Sequence, residues 1–194
     1  MGQYFMVGLK KKNGKKWQIY RPHGFKLMEH SYIGNDVCNA ICKLLYKKPA
    51  YVMWCGDYWE PGEMKLPSYS SDPVKPTKEE FWADKVKEKE VSDDTFEIRG
   101  KYLINLDSKE YIDMSEYIES ASVGQFTDDG WAVHPLPLLT ANSNGQGGGD
   151  YYEEYPNADL CGTWADCLIV IDDKPPKGFT NRQDIFFAEM CHVG

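Results

Sequence analysis

Residues 134–151, His-Pro-Leu-Pro-Leu-Leu-Thr-Ala-Asn-Ser-Asn-Gly-Gln-Gly-Gly-Gly-Asp-Tyr, form the most constrained stretch of this chain. Pro135 and Pro137 point to an extended approach, after which Gly145, Gly147, Gly148 and Gly149 crowd one short loop. Such a backbone reaches conformations closed to residues with a side chain, and ordering it costs more entropy than ordering any other sequence. A folded protein that keeps it therefore needs main chain close to something. The loop ends in Asp150-Tyr151, and a related ending, Cys55-Gly56-Asp57-Tyr58, closes the first apolar strand pattern. Both read as walls of a pocket.

At 194 residues the chain fits one generous domain or two small ones. Its 6 Trp and 13 Tyr supply large amphipathic side chains of the kind found in cores, pockets and interfaces. No apolar run approaches the ~20 residues that span a bilayer. The amino-terminal residues enter a strand pattern without a signal-like hydrophobic region, and Met6 stands where a myristoylation signal wants Ser or Thr. The expectation is a cytoplasmic protein without membrane attachment. Its cysteines, Cys38, Cys42, Cys55, Cys161, Cys167 and Cys191, contain no Cys-x-x-Cys and read as reduced thiols. Cys38 and Cys42 lie one helical turn apart, but the paired-ligand spacing of a zinc site is missing. Neither a metal nor another cofactor is expected.

Charge is polarised: residues 1–58 carry +7 and residues 59–194 carry −15. The cluster Lys10-Lys11-Lys12-Asn13-Gly14-Lys15-Lys16 is a hairpin tip, because Asn-Gly sits between two strand patterns. With the acidic total, this argues against nucleic acid as a partner. An acidic, aromatic-rich remainder suits competition for a basic surface on a protein partner.

Apolar alternation bounded by Gly, Pro or Asn-Gly predicts strands near 3–9, 16–21, 50–55, 95–106, 131–134, 162–171 and 184–190. The spacing of Val37, Cys38, Ile41, Leu44 and Leu45 after a Gly34-Asn35 cap predicts a helix over 36–47. Residues 59–76 read as a Pro/Ser-rich connection, and Thr77–Glu80 as the capping box of a charged helix to about Val91. Another short helix is expected from Asp113 or Ser115 through Ile118. The fold class that follows is α+β, a mainly antiparallel sheet with one amphipathic helix packed on it and a second charged helix. Gly2-Gln3-Tyr4 and Gly100-Lys101-Tyr102 each open a strand, yet the spacing of such marks is not kept between halves. A single domain, 1–58 plus 93–194 with an excursion at 59–92, is therefore the expected organisation.

Leu27-Met28-Glu29-His30-Ser31-Tyr32-Ile33-Gly34-Asn35 and Trp54-Cys55-Gly56-Asp57-Tyr58 resemble the first half of a family of uncharacterised bacterial and phage-type proteins. Asn105 to Asp113, His134 to Tyr151 and Gly162-Thr163-Trp164-Ala165-Asp166 resemble its second half. The blocks cover most of the chain apart from 59–93 and the last residues. This sequence departs from the family pattern at Cys55, where Ala is usual, and at Ala165-Asp166, where Ala-Gly-Asp is usual. The resemblance implies no particular activity.

Two classes of function follow from the residues. In the first, the protein is a non-catalytic cytosolic binding protein acting stoichiometrically on a protein partner, as anti-defence or immunity-type inhibitors of phage and mobile elements do. Trp59, Tyr69, Glu79, Glu80, Phe81 and Trp82, in a polar excursion, are its expected partner contacts. In the second, it binds a small ligand, or is a hydrolase or transferase acting on a nucleotide-like or sugar-like substrate. Asn144, Gly145, Gly147, Gly148, Gly149, Asp150, Tyr151 and Trp164 would then line the ligand. His134, Asp150, Asp57, Asp166 and His30 would supply acid–base chemistry. The absence of a nucleophile elbow, Walker loop or H-E-x-x-H motif favours the first class. Convergence of the histidines and aspartates in one cleft would favour the second.

Overall fold

The computed structural model describes residues 1–20, 26–59, 96–122, 133–153 and 158–185, with residues 120–122 described by backbone alone. Its elements are β1 (Phe5–Lys11), β2 (Gln18–Tyr20), α1 (Leu27–His30), α2 (Asp36–Leu45), β3 (Ala50–Gly56), β4 (Tyr102–Asn105), β5 (Glu110–Asp113), α3 (Met114–Ser122), α4 (Pro135–Thr140), β6 (Ala141–Asn142), β7 (Cys167–Asp172) and β8 (Thr180–Asn181). They form one mixed, mostly antiparallel sheet with helices against it, an α+β fold. Strand order is β2-β1-β3-β7-β4-β5-β8, with β6 added to β3 in parallel.

Read from its centre, the sheet repeats itself. Each half is an antiparallel hairpin (β1–β2 or β4–β5), then helices, then a strand antiparallel to the hairpin's first (β3 or β7). β3 and β7 meet antiparallel, with Val52 opposite Cys167. That contact lasts only from Ala50 to Val52 on β3. Beyond it each strand takes up the segment that follows a helix of the other half: Ala141 and Asn142 lie beside Trp54 and Cys55, and Tyr46 bridges Ile171.

One sheet face carries the main core. Alternation sends Phe5, Val7 and Leu9 of β1, Val52 and Trp54 of β3, and Ile169 and Ile171 of β7 beneath the helices, all buried. On the other face Met6, Ile19, Met53, Cys55 and Trp59 form a smaller cluster with Trp17. Lys10, also buried, holds Nζ 5.3 Å from the Trp17 ring centre and 4.7 Å from that of Tyr51.

Local chemistry sets the element ends. The Asn35 side chain accepts from the amides of Val37 at 3.0 Å and Cys38 at 3.3 Å, starting α2 where the sequence predicts. The helix stops at Leu45, short of the expected residue 47. Tyr46 is extended and Lys47, at φ 55°, donates its amide to Ile171 O at 2.8 Å. Its buried stripe centres on Cys38, Ile41, Cys42 and Leu45, so Leu44 falls beyond the rim and is 38% exposed, contrary to expectation. The approach at Pro135 and Pro137 is a second correction. Both prolines sit in the first turn of α4, where a missing N–H costs nothing and the fixed φ is already helical.

The strand expected over 95–106 is in fact a hairpin arm. The Asn105 side chain accepts from the amides of Asp107 and Ser108, turning the chain into β5. Asp113 then accepts from the Ser115 amide at 3.0 Å at the start of α3. Residues 162–166 form turns ahead of β7; of the strand expected over 131–134, residues 131 and 132 lie outside the described residues, and Val133 pairs in a bridge to Tyr32. The charged helix and most of the 184–190 strand lie outside the described residues; Asp184 and Ile185 are not in a strand.

Ile41→Ala should therefore cost about 2–5 kcal/mol, as buried aliphatic truncations do. Leu44→Ala, on the same helix, should stay within about 0.5 kcal/mol, as surface changes do. Urea unfolding of the two variants checks the assignment of faces.

Candidate functional site

The glycine-rich loop sits where β1 begins and β3 ends, and the residue that organises it is Gln3. This glutamine is fully buried. Its Nε2 donates to Ser143 O at 2.8 Å and to Asp150 Oδ2 at 2.5 Å. Its Oε1 accepts from the Tyr58 amide at 3.2 Å and from Ser143 Oγ at 2.6 Å. Two donors and two acceptors are the whole capacity of a primary amide, so Gln3 is satisfied in full.

Asp150 closes the loop from within. Its Oδ2 also accepts from the amides of Gln146 and Gly147, each at 3.0 Å. Asn144 clamps the base, donating Nδ2 to Tyr151 O at 2.6 Å and accepting from the Tyr151 amide at 2.8 Å. Tyr152 OH donates to Gly147 O at 2.7 Å. Burial pushes the Asp150 carboxyl up from its ordinary range, against the opposing pull of the bonds from Gly147, Gln146 and Gln3.

The main chain of the loop does approach something closely: other parts of this same chain. Gly148 bridges Gly2, with Gly148 N donating to Met1 O at 3.1 Å and Gln3 N to Gly148 O at 3.2 Å. Met28 N, at the start of α1, donates to Gly149 O at 3.0 Å. A Cβ on Gly147 would lie 2.5 Å from Gln3 Cβ and 2.8 Å from Gln3 N. At Gly149, whose φ of 88° already excludes most side chains, it would lie 2.5 Å from Lys26 Cδ. Gly148 is the tolerant position, its nearest neighbour being 3.6 Å away. The glycines are thus required by packing against Gln3 and Lys26.

The two histidines lie deeper, both fully buried. His30 Nδ1 donates to Lys26 O at 2.6 Å, and its Nε2 accepts from Trp54 Nε1 at 2.6 Å. His134 has the opposite tautomer: Nδ1 caps α4 by accepting from the Leu136 amide at 3.1 Å, so Nε2–H faces Cys42 Sγ at 3.4 Å. Each ring has an acceptor nitrogen that a second proton would abolish. Burial lowers the pKa of His30 to about 4, against the Lys26 carbonyl and Glu29, and that of His134 to about 3. Cys42, also pushed up by burial, stays a thiol, so the Cys42–His134 contact is not an activated nucleophile.

The structure brings together Asn144, the glycines, Asp150 and Tyr151, with Asp57 beside them through Tyr4 and Tyr58. Asp57 accepts from the Tyr4 amide at 3.0 Å at the outer end of the β1–β3 pair. The other sequence-selected residues have separate work. Asp166 is buried with φ 57° at the turn into β7, where its amide donates to Val52 O. Trp164, expected against a ligand, is buried and donates to Glu110 Oε2 at 3.1 Å. Trp59, expected in a partner-facing excursion, is 2% exposed because the chain leaving β3 folds it onto the second core cluster. Tyr69, Glu79, Glu80, Phe81 and Trp82 lie outside the described residues. Among the described residues no group of three or more His, Cys, Asp or Glu is placed to hold a metal ion.

What sequence reasoning passed over is Gln3, with Tyr58 and Tyr152 against the loop and Tyr4 next to Gln3 in the chain. Tyr4 is 44% and Tyr152 37% exposed, and Tyr58 is half-buried with its ring against Gly147. The sole sequence signal for Gln3 was the Gly2-Gln3-Tyr4 mark ahead of β1. Compared with protein-family models, curated proteins and solved structures, the chain finds no match.

The histidines give this region a defined response to acid. In the unfolded chain each titrates near its ordinary value of 6.5, and in the fold near 4 or 3. Below pH 6.5 the unfolded state therefore binds more protons, and stability falls with pH by about 1.4 kcal/mol per unit for each histidine. Asp150, raised by burial, works in the opposite sense, since its folded-state cost is relieved as the carboxyl takes up a proton. Urea midpoints should be level above pH 7 and fall between pH 6.5 and about 4, with a shallower fall in His30→Gln.

Proposed function

We propose that this protein is a non-catalytic binding protein that acts stoichiometrically on a protein partner. The observation that carries the reading is the use to which the chemistry-bearing residues are put. His30, His134, Asp150 and Asp166 are buried, and the first three have hydrogen bonds that hold local structure. Such groups are poor reagents: the histidines stay neutral well below physiological pH, and the cysteine beside His134 stays protonated.

The outward face of the same loop has a different character. Tyr58 and Tyr152 lie against Gly147 on a backbone bonded by Gln3, Asn144 and Asp150, with exposed Glu153 next to Tyr152 and the Tyr4–Asp57 pair at the adjoining strand end. Tyrosine on a rigid loop offers large contact area at little entropic cost, and carboxylates beside it favour a basic partner. A preformed aromatic and acidic face of this kind suits an inhibitor. No helix among the described residues is long and apolar enough to cross a membrane, and the proposed setting is the cytoplasm. Membership of the bacterial and phage-type family is proposed on the motifs, and an anti-defence or immunity role is proposed with it. Tyr69, Glu79, Glu80, Phe81 and Trp82 remain the proposed additional contacts.

Affinity capture from the organism that carries the gene, followed by titration calorimetry against the purified partner, tests this. Tyr4→Ala combined with Tyr152→Ala should weaken binding by at least about tenfold, the effect of losing one good aromatic anchor. Reversing Glu79 and Glu80 should slow association in a salt-sensitive manner. One-to-one binding that survives all these changes, or turnover of a small molecule by the purified chain, would overturn the reading.

A further inference from the structure

The chain holds two Asn-Gly pairs: Asn13-Gly14 at the tip between β1 and β2, and Asn144-Gly145 at the base of the glycine-rich loop. Asn-Gly is a chemically labile pair. The glycine has no Cβ to shield its main-chain nitrogen, so that nitrogen can reach Cγ of the preceding asparagine. The dipeptide is the same at both sites, and the structure is what separates them.

At Asn144 the side chain is engaged at both ends. Its Nδ2 donates to Tyr151 O at 2.6 Å and its Oδ1 accepts from the Tyr151 amide at 2.8 Å, in a partly buried position. Attack on its Cγ needs both bonds broken and the base of the loop opened. Asn13, by contrast, is exposed, and so are Lys11, Lys12, Lys15 and Lys16 on either side of it. The attacking group there, Gly14 N, is held by a turn bond to Lys11 O at 2.8 Å. Turns at exposed tips open at little cost in free energy, which releases that nitrogen. The surrounding ammonium groups favour loss of the Gly14 amide proton, because nearby positive charge stabilises the anion that forms.

We propose that Asn13 is a site of spontaneous deamidation, converting in the folded protein to isoaspartate and aspartate while Asn144 is preserved. Gly14 N bonds to Asn13 Cγ, the Cγ–Nδ2 bond breaks, and the Gly14 amide proton passes through solvent to the departing ammonia. Water then opens the cyclic imide. Addition at Cγ gives aspartate, and addition at the main-chain carbonyl of residue 13 gives isoaspartate, whose main chain runs through Cβ and Cγ. Either product sets a carboxylate among the lysines, so the tip becomes less positive as the protein ages. Residue 13 lies beyond the last paired residue of β1 and ahead of β2, so the longer isoaspartyl main chain is accommodated in the loop. The chemistry does not depend on what the protein binds.

The test is incubation of the purified full chain at physiological temperature, at neutral and mildly alkaline pH, folded and in parallel unfolded in urea. Peptide mass spectrometry reads the loss of each side-chain amide, and methylation by a protein isoaspartyl methyltransferase reads isoaspartate. In the folded chain Asn13 should convert at least about tenfold faster than Asn144, because two hydrogen bonds hold the Asn144 side chain. The rate at Asn13 should rise with pH, since the amide loses its proton before it attacks. In urea Asn144 should speed up until the two rates come together. Absence of isoaspartate at Asn13, conversion of Asn144 as fast or faster in the folded chain, or an Asn144 that stays slow in urea would overturn the proposal.

Discussion

A single buried amide, the side chain of Gln3, joins the three parts of the chain that meet at the candidate site. Its four hydrogen-bonding positions reach Ser143 and Asp150 in the loop and Tyr58 beyond β3, while its own main chain pairs with Gly148. Glutamine suits this position because it both donates and accepts. Glutamate could not donate to Asp150, and lysine could not accept from Tyr58. Leaving any one of these buried groups unpaired would cost about 1–3 kcal/mol, which is large against the stability of a domain this size.

The same arrangement explains why a motif that looks like a ligand cradle behaves as an internal joint. Close approach of main chain is what a run of glycines permits, and here the approaching groups are Gln3 and Lys26. Asp150 faces inward, where it satisfies the amides of Gln146 and Gly147 that a bound anion would otherwise need to satisfy. Tyr4 and Tyr152 stay exposed next to a loop whose hydrogen bonds are already made within the chain. Preorganisation of that kind favours recognition by shape and charge over chemical transformation.

Local sequence signals carried much of the architecture. Asn35 as a cap, Asn13-Gly14 as a turn and the alternation in β1 and β3 each have a short-range physical cause, and these elements appear close to where they were read. The failures have a common origin in tertiary context. Pro135 and Pro137 suit an extended segment as well as a helical first turn, and the choice depends on His134 being buried where its ring can cap α4. Trp59 reads as a surface aromatic until the second face of the sheet is known to receive it. The glycine loop was found readily, but its occupant was 140 residues or more distant in sequence, as the Gln3 bonds to Ser143 and Asp150 show. The internal symmetry showed in sequence only at the marks Gly2-Gln3-Tyr4 and Gly100-Lys101-Tyr102, because the residues around them differ in type and the connections differ in length.

Hydrogen exchange at the loop amides tests the role of Gln3 most directly. In the native chain the amides of Gln146, Gly147 and Tyr151 should be strongly protected. In Gln3→Ala they should exchange much faster, while those in the middle of α2 keep their protection. Rapid exchange of these loop amides in the native protein, or unchanged protection in Gln3→Ala, would contradict the account.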